Sequence, residues 1–126
     1  MTLRTTLRFT AAGAVLAAAA AAILPLTAQA GAPMLNAAVG PDSNFKMTLT
    51  DAKRGKVTSL KAGAYMIMVS DTSAIHNFRL SGPGVNKDSG VSAKGKSTWN
   101  VTLKKGTYKF VCDPHAATMK GSFTVS

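Results

Sequence analysis

From residue 45 onward the chain is a series of short segments in which apolar and polar residues alternate. Alternation with a period of two is typical of strands with one buried face, and no helical periodicity competes with it. Turn sequences such as KAG, SGPG and KKG separate the segments at roughly even spacing. About seven or eight such strands predict an all-β fold, a Greek-key antiparallel β-sandwich. The segments are residues 45–50, 56–60, 64–70, 74–80, 97–103, 107–112 and 121–126.

Three stretches depart from this alternation. Residues 64–70 are almost continuously apolar, which predicts a strand buried on both faces. Residues 31–44 are small and include Pro and Gly, so we expect an irregular leading arm there. Residues 81–95 are rich in turn-forming residues and predict a connection without strands.

Residues 1–30 have the composition of an export signal. Arg4 and Arg8 give a positive start, an alanine-rich apolar run follows, and Ala28-Gln29-Ala30 has the form of a cleavage site. We predict a secretory signal peptide at 1–30, and one domain at 31–126 that lies in the periplasm, the cell envelope or outside the cell. The alternative is an uncleaved membrane anchor, since the run is about long enough to span a bilayer.

The predicted domain is strongly basic. Without Arg4 and Arg8 the formal net charge of +10 falls to about +8. This charge would attract an acidic partner, although a lysine-coated surface that keeps strand edges unpaired is the simpler explanation. Nucleic acid is not expected as a partner, because the lysines are scattered and Arg54 and Arg79 are the domain's two arginines.

The single cysteine points to metal chemistry. It excludes an internal disulfide, and an unoccupied thiol in an exported protein would oxidise. Cys112 is followed by His115 and Met119, and the sequence has one other histidine, His76. Soft sulfur combined with imidazole selects copper or zinc. Two histidines, one cysteine and one methionine make the ligand set of an electron-transfer copper site, whereas structural zinc prefers four firm ligands.

The segments HNFRL and YKFVCDPHAATMKGSFTV resemble the cupredoxins, the small blue copper proteins that include plastocyanin, amicyanin, pseudoazurin and azurin. The resemblance implies that one type 1 copper ion is bound by His76, Cys112 and His115, with Met119 as the axial ligand. It also implies that Asn77 ties the two ligand-bearing loops together.

The residues after the cysteine set this chain apart from the cupredoxin pattern. Three residues separate His115 from Met119, one fewer than in plastocyanin and one more than in amicyanin. Asp113 replaces the usual Ser or Thr, and we expect its carboxylate to lower the reduction potential or to make it pH-sensitive. Pro114 matches plastocyanin; it has no N–H, so one hydrogen bond to the sulfur is lost and the potential should fall somewhat.

The resemblance implies an electron carrier rather than an enzyme. The edge of His115 is expected to reach the surface through an apolar patch of Pro114, Ala116 and Ala117, where a redox partner protein docks. We expect that partner to be acidic if the lysines guide it, and we expect the carrier itself to be a monomer.

Three other functions compete with this interpretation. A copper carrier or buffer of the cell envelope would use the same ligands, and a metal-free interaction module would have kept them as a relic. A multicopper enzyme would need a further histidine-rich centre, but both histidines are already assigned. Met66 and Met68 share one face of a predicted strand; we expect them to pack in the core, and a second copper site built on methionines is the alternative.

Overall fold

Two β-sheets enclose one hydrophobic core. The computed structural model describes residues 31–41 and 44–126, and the predicted signal peptide lies outside them. Among the described residues, no helix has the length and apolar character needed to cross a membrane. The strands of this part of the chain are β1 (Met34–Val39), β2 (Met47–Asp51), β3 (Ser59–Leu60), β4 (Gly63–Asp71), β5 (Arg79–Gly82), β6 (Val85–Asp88), β7 (Gly95–Leu103), β8 (Gly106–Val111) and β9 (Lys120–Val125).

The strand order is β2-β1-β4-β7 in the first sheet and β3-β9-β8-β5-β6 in the second. The predicted all-β sandwich is therefore confirmed, with nine strands in the described residues. The sheets are mixed rather than wholly antiparallel, because β1 pairs with β4 and β3 pairs with β9 in parallel. Such pairs join strands that are distant in sequence, which local alternation cannot reveal.

The alternation in the sequence becomes the division between core and surface. In β4, Tyr65, Ile67 and Val69 are buried, while the residues between them are partly exposed. The inward side chains of both sheets form one cluster, and Cys112 and Met119 belong to it. The core therefore extends to the predicted ligands.

Tyr108 anchors β8, the strand that leads into Cys112. Its ring stacks on Phe123 of β9 with centroids 5.3 Å apart, and it occupies the space that a side chain on Gly82 would need. Its hydroxyl donates to the Pro83 carbonyl at 2.7 Å and accepts the Lys104 N–H at 2.9 Å. This buried corner fixes the strand that carries the ligand loop.

Two stretches that we expected to be irregular contain strands. Residues 34–39, placed in the predicted leading arm, form β1 at an inner position of the first sheet. Its side chains alternate between buried and less buried positions, but Asn36, Ala37 and Ala38 at its centre are too weakly apolar to give a clear pattern. β6 lies in the turn-rich segment 81–95, and its polar character fits a strand at the sheet edge.

The predictions for residues 64–70 and 74–80 need correction. Residues 74–78 form a loop, so His76 precedes β5 and does not lie within a strand. Met66 and Met68 are partly exposed on the outer face of the first sheet, so the prediction of core packing is wrong. The strand register places Met34 of β1 directly beside Met66, and neighbouring apolar side chains shield each other there.

Candidate metal centre

The first of two ligand-bearing loops joins β8 to β9. Cys112 follows β8, residues 113–115 form a single 3₁₀ turn, and Met119 precedes β9. The Cys112 N–H donates to the Met119 carbonyl at 2.9 Å, and the His115 N–H donates to the Cys112 carbonyl at 3.0 Å. The loop is thus closed by its own backbone, and this closure fixes the positions from which the three side chains project.

The second loop runs from β4 to β5 and carries His76. Asp71, buried at the end of β4, accepts the Ser73 N–H at 3.1 Å and the Ser89 hydroxyl at 3.3 Å. The Ser89 oxygen in turn accepts the Phe78 N–H at 2.8 Å. The segments before and after His76 are therefore both linked to the Asp71 carboxylate, the second of them through Ser89. Burial raises the pKa of the Asp71 carboxyl above its ordinary value, against the effect of these hydrogen bonds.

Gly40, just after β1, lies against the ring of His76. Its φ is +58°, and a Cβ at this position would come within 2.5 Å of His76 Cδ2. Glycine is therefore required both for the backbone conformation and for the space. The Thr72 hydroxyl donates to the Gly40 carbonyl at 3.1 Å, which joins this turn to the His76 loop. His76 Nε2 is buried with no hydrogen-bond partner among the described residues, and Nδ1 faces the other loop.

Three donor atoms from the two loops meet in one cluster. His76 Nδ1 lies 3.0 Å from His115 Nδ1, and Cys112 Sγ lies 3.6 Å and 3.5 Å from these two nitrogens. His76 and Cys112 are fully buried, whereas His115 is partly exposed. Donors bound to one metal at ~2.0–2.3 Å are separated by roughly 3–4 Å. The triangle therefore has the size of a trigonal metal site.

Two more side chains border this cluster. Met119 is buried in the same loop, as an axial role requires. The ring of Phe45 stands nearly perpendicular to both imidazoles, with centroids 5.3 Å from His76 and 4.8 Å from His115. We expected Phe45 to begin a strand, but it lies in the turn before β2. No local signal in the sequence marks Phe45 as part of a site.

Asn77 connects the two loops, as the resemblance implies. Its side-chain amide donates to Asp88 at 2.7 Å and to Asp113 at 2.8 Å. Its side-chain oxygen accepts the Asp113 N–H at 2.7 Å. Asn77 itself is fully buried, so it joins the residue after His76 to the residue after Cys112 without access to water.

Arg79 is paired with the carboxylate beside the site. Its Nε donates to both oxygens of Asp113, at 3.0 Å and 2.9 Å, and its Nη2 lies 3.1 Å from Asp88. The Arg79 hydrogen bond, supported by Asn77, holds the pKa of Asp113 below its ordinary value. Asp113 therefore stays ionised at neutral pH, with Arg79 as a counter-ion that it shares with Asp88, and any pH effect of Asp113 lies in the acid range.

The residues of the predicted docking patch are at the surface. Pro114, Ala116 and Ala117 are exposed beside the partly exposed His115. Pro114 also occupies the start of the 3₁₀ turn, a position where its missing N–H costs nothing. Two large apolar side chains near the same histidines, Phe45 and Ile75, are 58% and 51% exposed. Neither was identified as part of the site from the sequence.

The sequence also matches a known family. Residues 54–126, more than half of the chain, match a sequence profile of copper binding proteins, the plastocyanin/azurin family. The chain belongs to this family. The matched region contains His76, Cys112, His115 and Met119.

Solved structures support the cupredoxin fold. Reduced rusticyanin gives a TM-score of 0.53 at 17% identity, covering 74% of this chain and 78% of that one. A second structure of rusticyanin, described as a copper protein, gives 0.54 at 19% identity, covering 74% and 76%. A rusticyanin mutant gives 0.52 at 20% identity with the same coverage. Identity this low supports a shared fold alone. No curated protein sequence gives a significant match.

The family and the donor set together identify the cofactor as copper. A thiolate and two imidazoles at these separations, with a buried methionine in the same loop, fit a type 1 copper centre. The copper cofactor predicted from the sequence is therefore confirmed. His76, Cys112 and His115 are the residues that would hold it.

Proposed function

We propose that this cupredoxin transfers single electrons in the cell envelope. The observation that carries the proposal is the convergence of donor atoms from His76, Cys112 and His115 within 4.8 Å of one another, in a largely buried position. Met119, buried in the same loop, would supply a weaker thioether ligand. Copper bound by such a set supplies one-electron chemistry between Cu(II) and Cu(I).

The chain contributes a rigid set of donors. Backbone hydrogen bonds close the Cys112 loop, Asp71 and Ser89 restrain the His76 loop, and Asn77 joins the two. A site held from several directions rearranges little when an electron arrives or leaves, which favours fast exchange. Partly exposed His115 is the point at which the electron enters and leaves.

The partner docks on Pro114, Ala116 and Ala117. Their small or rigid side chains allow close approach to His115, and a small apolar contact suits a short-lived complex. The positive charge of about +8 on residues 31–126 attracts an acidic redox protein, so the rate of electron transfer should fall as ionic strength rises.

The protein acts as an exported monomer without enzymatic activity. Export follows from the predicted signal peptide, cleaved after Ala30. The sequence contains only two histidines, and both are used at this centre, so no histidine is left for the additional copper centre of a multicopper enzyme.

The test begins with visible absorption of residues 31–126 after one equivalent of Cu(II) is added. We expect an intense blue or green thiolate-to-copper band that is absent from Cys112→Ala. A colourless sample would overturn the proposal.

A second measurement separates an electron carrier from the alternative, a copper carrier or buffer of the cell envelope. An electron carrier should exchange electrons between its oxidised and reduced forms rapidly and should keep its copper when a copper-free acceptor protein is added. Rapid transfer of copper to the acceptor, combined with slow electron exchange, would favour the copper carrier.

A further inference from the structure

Phe45 occupies an unusual place for a large apolar residue. Its side chain is 58% exposed, yet its ring contacts the imidazoles of both His76 and His115. The interplanar angles of 77° and 87° are those of edge-to-face aromatic pairs, which attract each other beyond the burial of area. One exposed ring thus bridges two metal-binding residues that come from different loops.

The backbone holds Phe45 in this position. The Gly40 N–H donates to the Lys46 carbonyl at 2.8 Å and closes the turn between β1 and β2. The Lys46 N–H also bonds to the Asn44 side-chain oxygen at 3.1 Å, directly beside Phe45. Gly40 at the start of the same turn packs on the His76 ring. A segment that supplies no ligand therefore contacts His76 at two points.

We propose that Phe45 is a positioning residue that covers the two histidines and slows the loss of copper. Its ring fixes the planes of both imidazoles and excludes water from the side on which it lies. An imidazole must rotate away before it can be exchanged for water or a chelator, and the Phe45 ring obstructs that rotation. The inference rests on copper binding and not on electron transfer, so failure of the electron-transfer proposal would leave it intact.

The test measures how fast the reduced, copper-loaded protein gives copper to bicinchoninate, a Cu(I) chelator. Two edge-to-face contacts predict about a tenfold faster release from Phe45→Ala. Phe45→Tyr keeps the aromatic edge and should behave like the wild type, while Phe45→Leu should be intermediate. Ile75→Ala removes a similarly exposed apolar side chain next to His76 and serves as the matched control.

A second readout is the thiolate-to-copper absorption band, which a loss of bulk alone would not move. We expect it to shift in Phe45→Ala, because the histidine planes change, and to remain in place in Ile75→Ala. Copper release at the wild-type rate from both Phe45→Ala and Phe45→Leu would overturn the proposal. So would equal acceleration by Ile75→Ala, which would indicate a general effect of the exposed surface. Should Phe45→Ala fail to fold, Phe45→Leu decides alone.

Discussion

Replacement of Asn77 by alanine tests whether the two ligand loops depend on one buried amide. The variant loses three hydrogen bonds, of 2.7, 2.8 and 2.7 Å, and two of them go to carboxylates. Hydrogen bonds to charged groups are worth ~1.5–3 kcal/mol and neutral ones about 1 kcal/mol. The side chains of Asp88 and Asp113 are 34% and 39% exposed, so water replaces part of the lost bonding. We therefore expect a loss of about 2–4 kcal/mol in the free energy of unfolding.

The assay is urea unfolding of the copper-free protein, so that metal affinity does not contribute. Asn86→Ala is the control, because Asn86 is exposed and, among the described residues, its side chain has a single hydrogen bond, a weak one of 3.4 Å from Arg79. We expect that control to change stability by less than ~0.5 kcal/mol. Equal losses in both variants, or a loss below ~1 kcal/mol in Asn77→Ala, would refute the assignment of Asn77 as the connection between the loops.

Three further variants probe the surroundings of the site. Gly40→Ala should weaken copper binding, because its Cβ would displace the His76 ring; an unchanged affinity in a copper titration would contradict this. Asp71→Asn should remove a pH dependence of stability. Burial raises the Asp71 pKa, so the folded state holds this proton more tightly, and wild-type stability should fall as pH rises from the ordinary pKa through the raised one. The account is refuted if the stability of Asp71→Asn, measured by urea unfolding at several pH values, changes with pH as steeply as that of the wild type. Arg79→Gln should lower the midpoint potential, because the unbalanced charge of Asp113 then stabilises Cu(II), and the shift should shrink at high salt. A raised potential in voltammetry would count against the pairing.

The metal ligands could be predicted from the sequence because the chain has few residues that could serve as ligands. A chain with one cysteine and two histidines offers few ways to occupy a thiol, so Cys112, His115 and His76 could be grouped without a structure. In the sequence the ligand loop lies between the alternating segments 107–112 and 121–126, and these form the neighbouring strands β8 and β9. Residues that are close in the sequence are here also close in the fold.

The parts of the fold that were missed depend on contacts between distant residues. The centre of β1 is weakly apolar, and this segment becomes a strand because β2 and β4 pair with it on both sides. His76 follows an alternating pattern, yet the buried Asp71 and Ser89 bend its segment into a loop. Met66 and Met68 are apolar enough for a core, but in the described part of the chain they lie on the outer, partly exposed face of the first sheet.

Asp113 shows how the fold adds a partner that the local sequence does not reveal. Taken alone, a carboxylate next to the cysteine predicts a lower or pH-sensitive potential. Arg79, 34 positions earlier, comes into contact with it because β5 and β8 are antiparallel neighbours with Arg79 opposite Val111. The hydrogen bonds from Arg79, which Asp113 shares with Asp88, hold the pKa of Asp113 below its ordinary value. The Asp113 contribution to stability is therefore fully present above the ordinary pKa of a carboxyl and is lost only as the pH falls through the lowered one. The electrostatic effect of a charged residue beside a metal site therefore depends on the residue it pairs with as well as on its own charge. Here the pairing of β5 with β8 determines that partner.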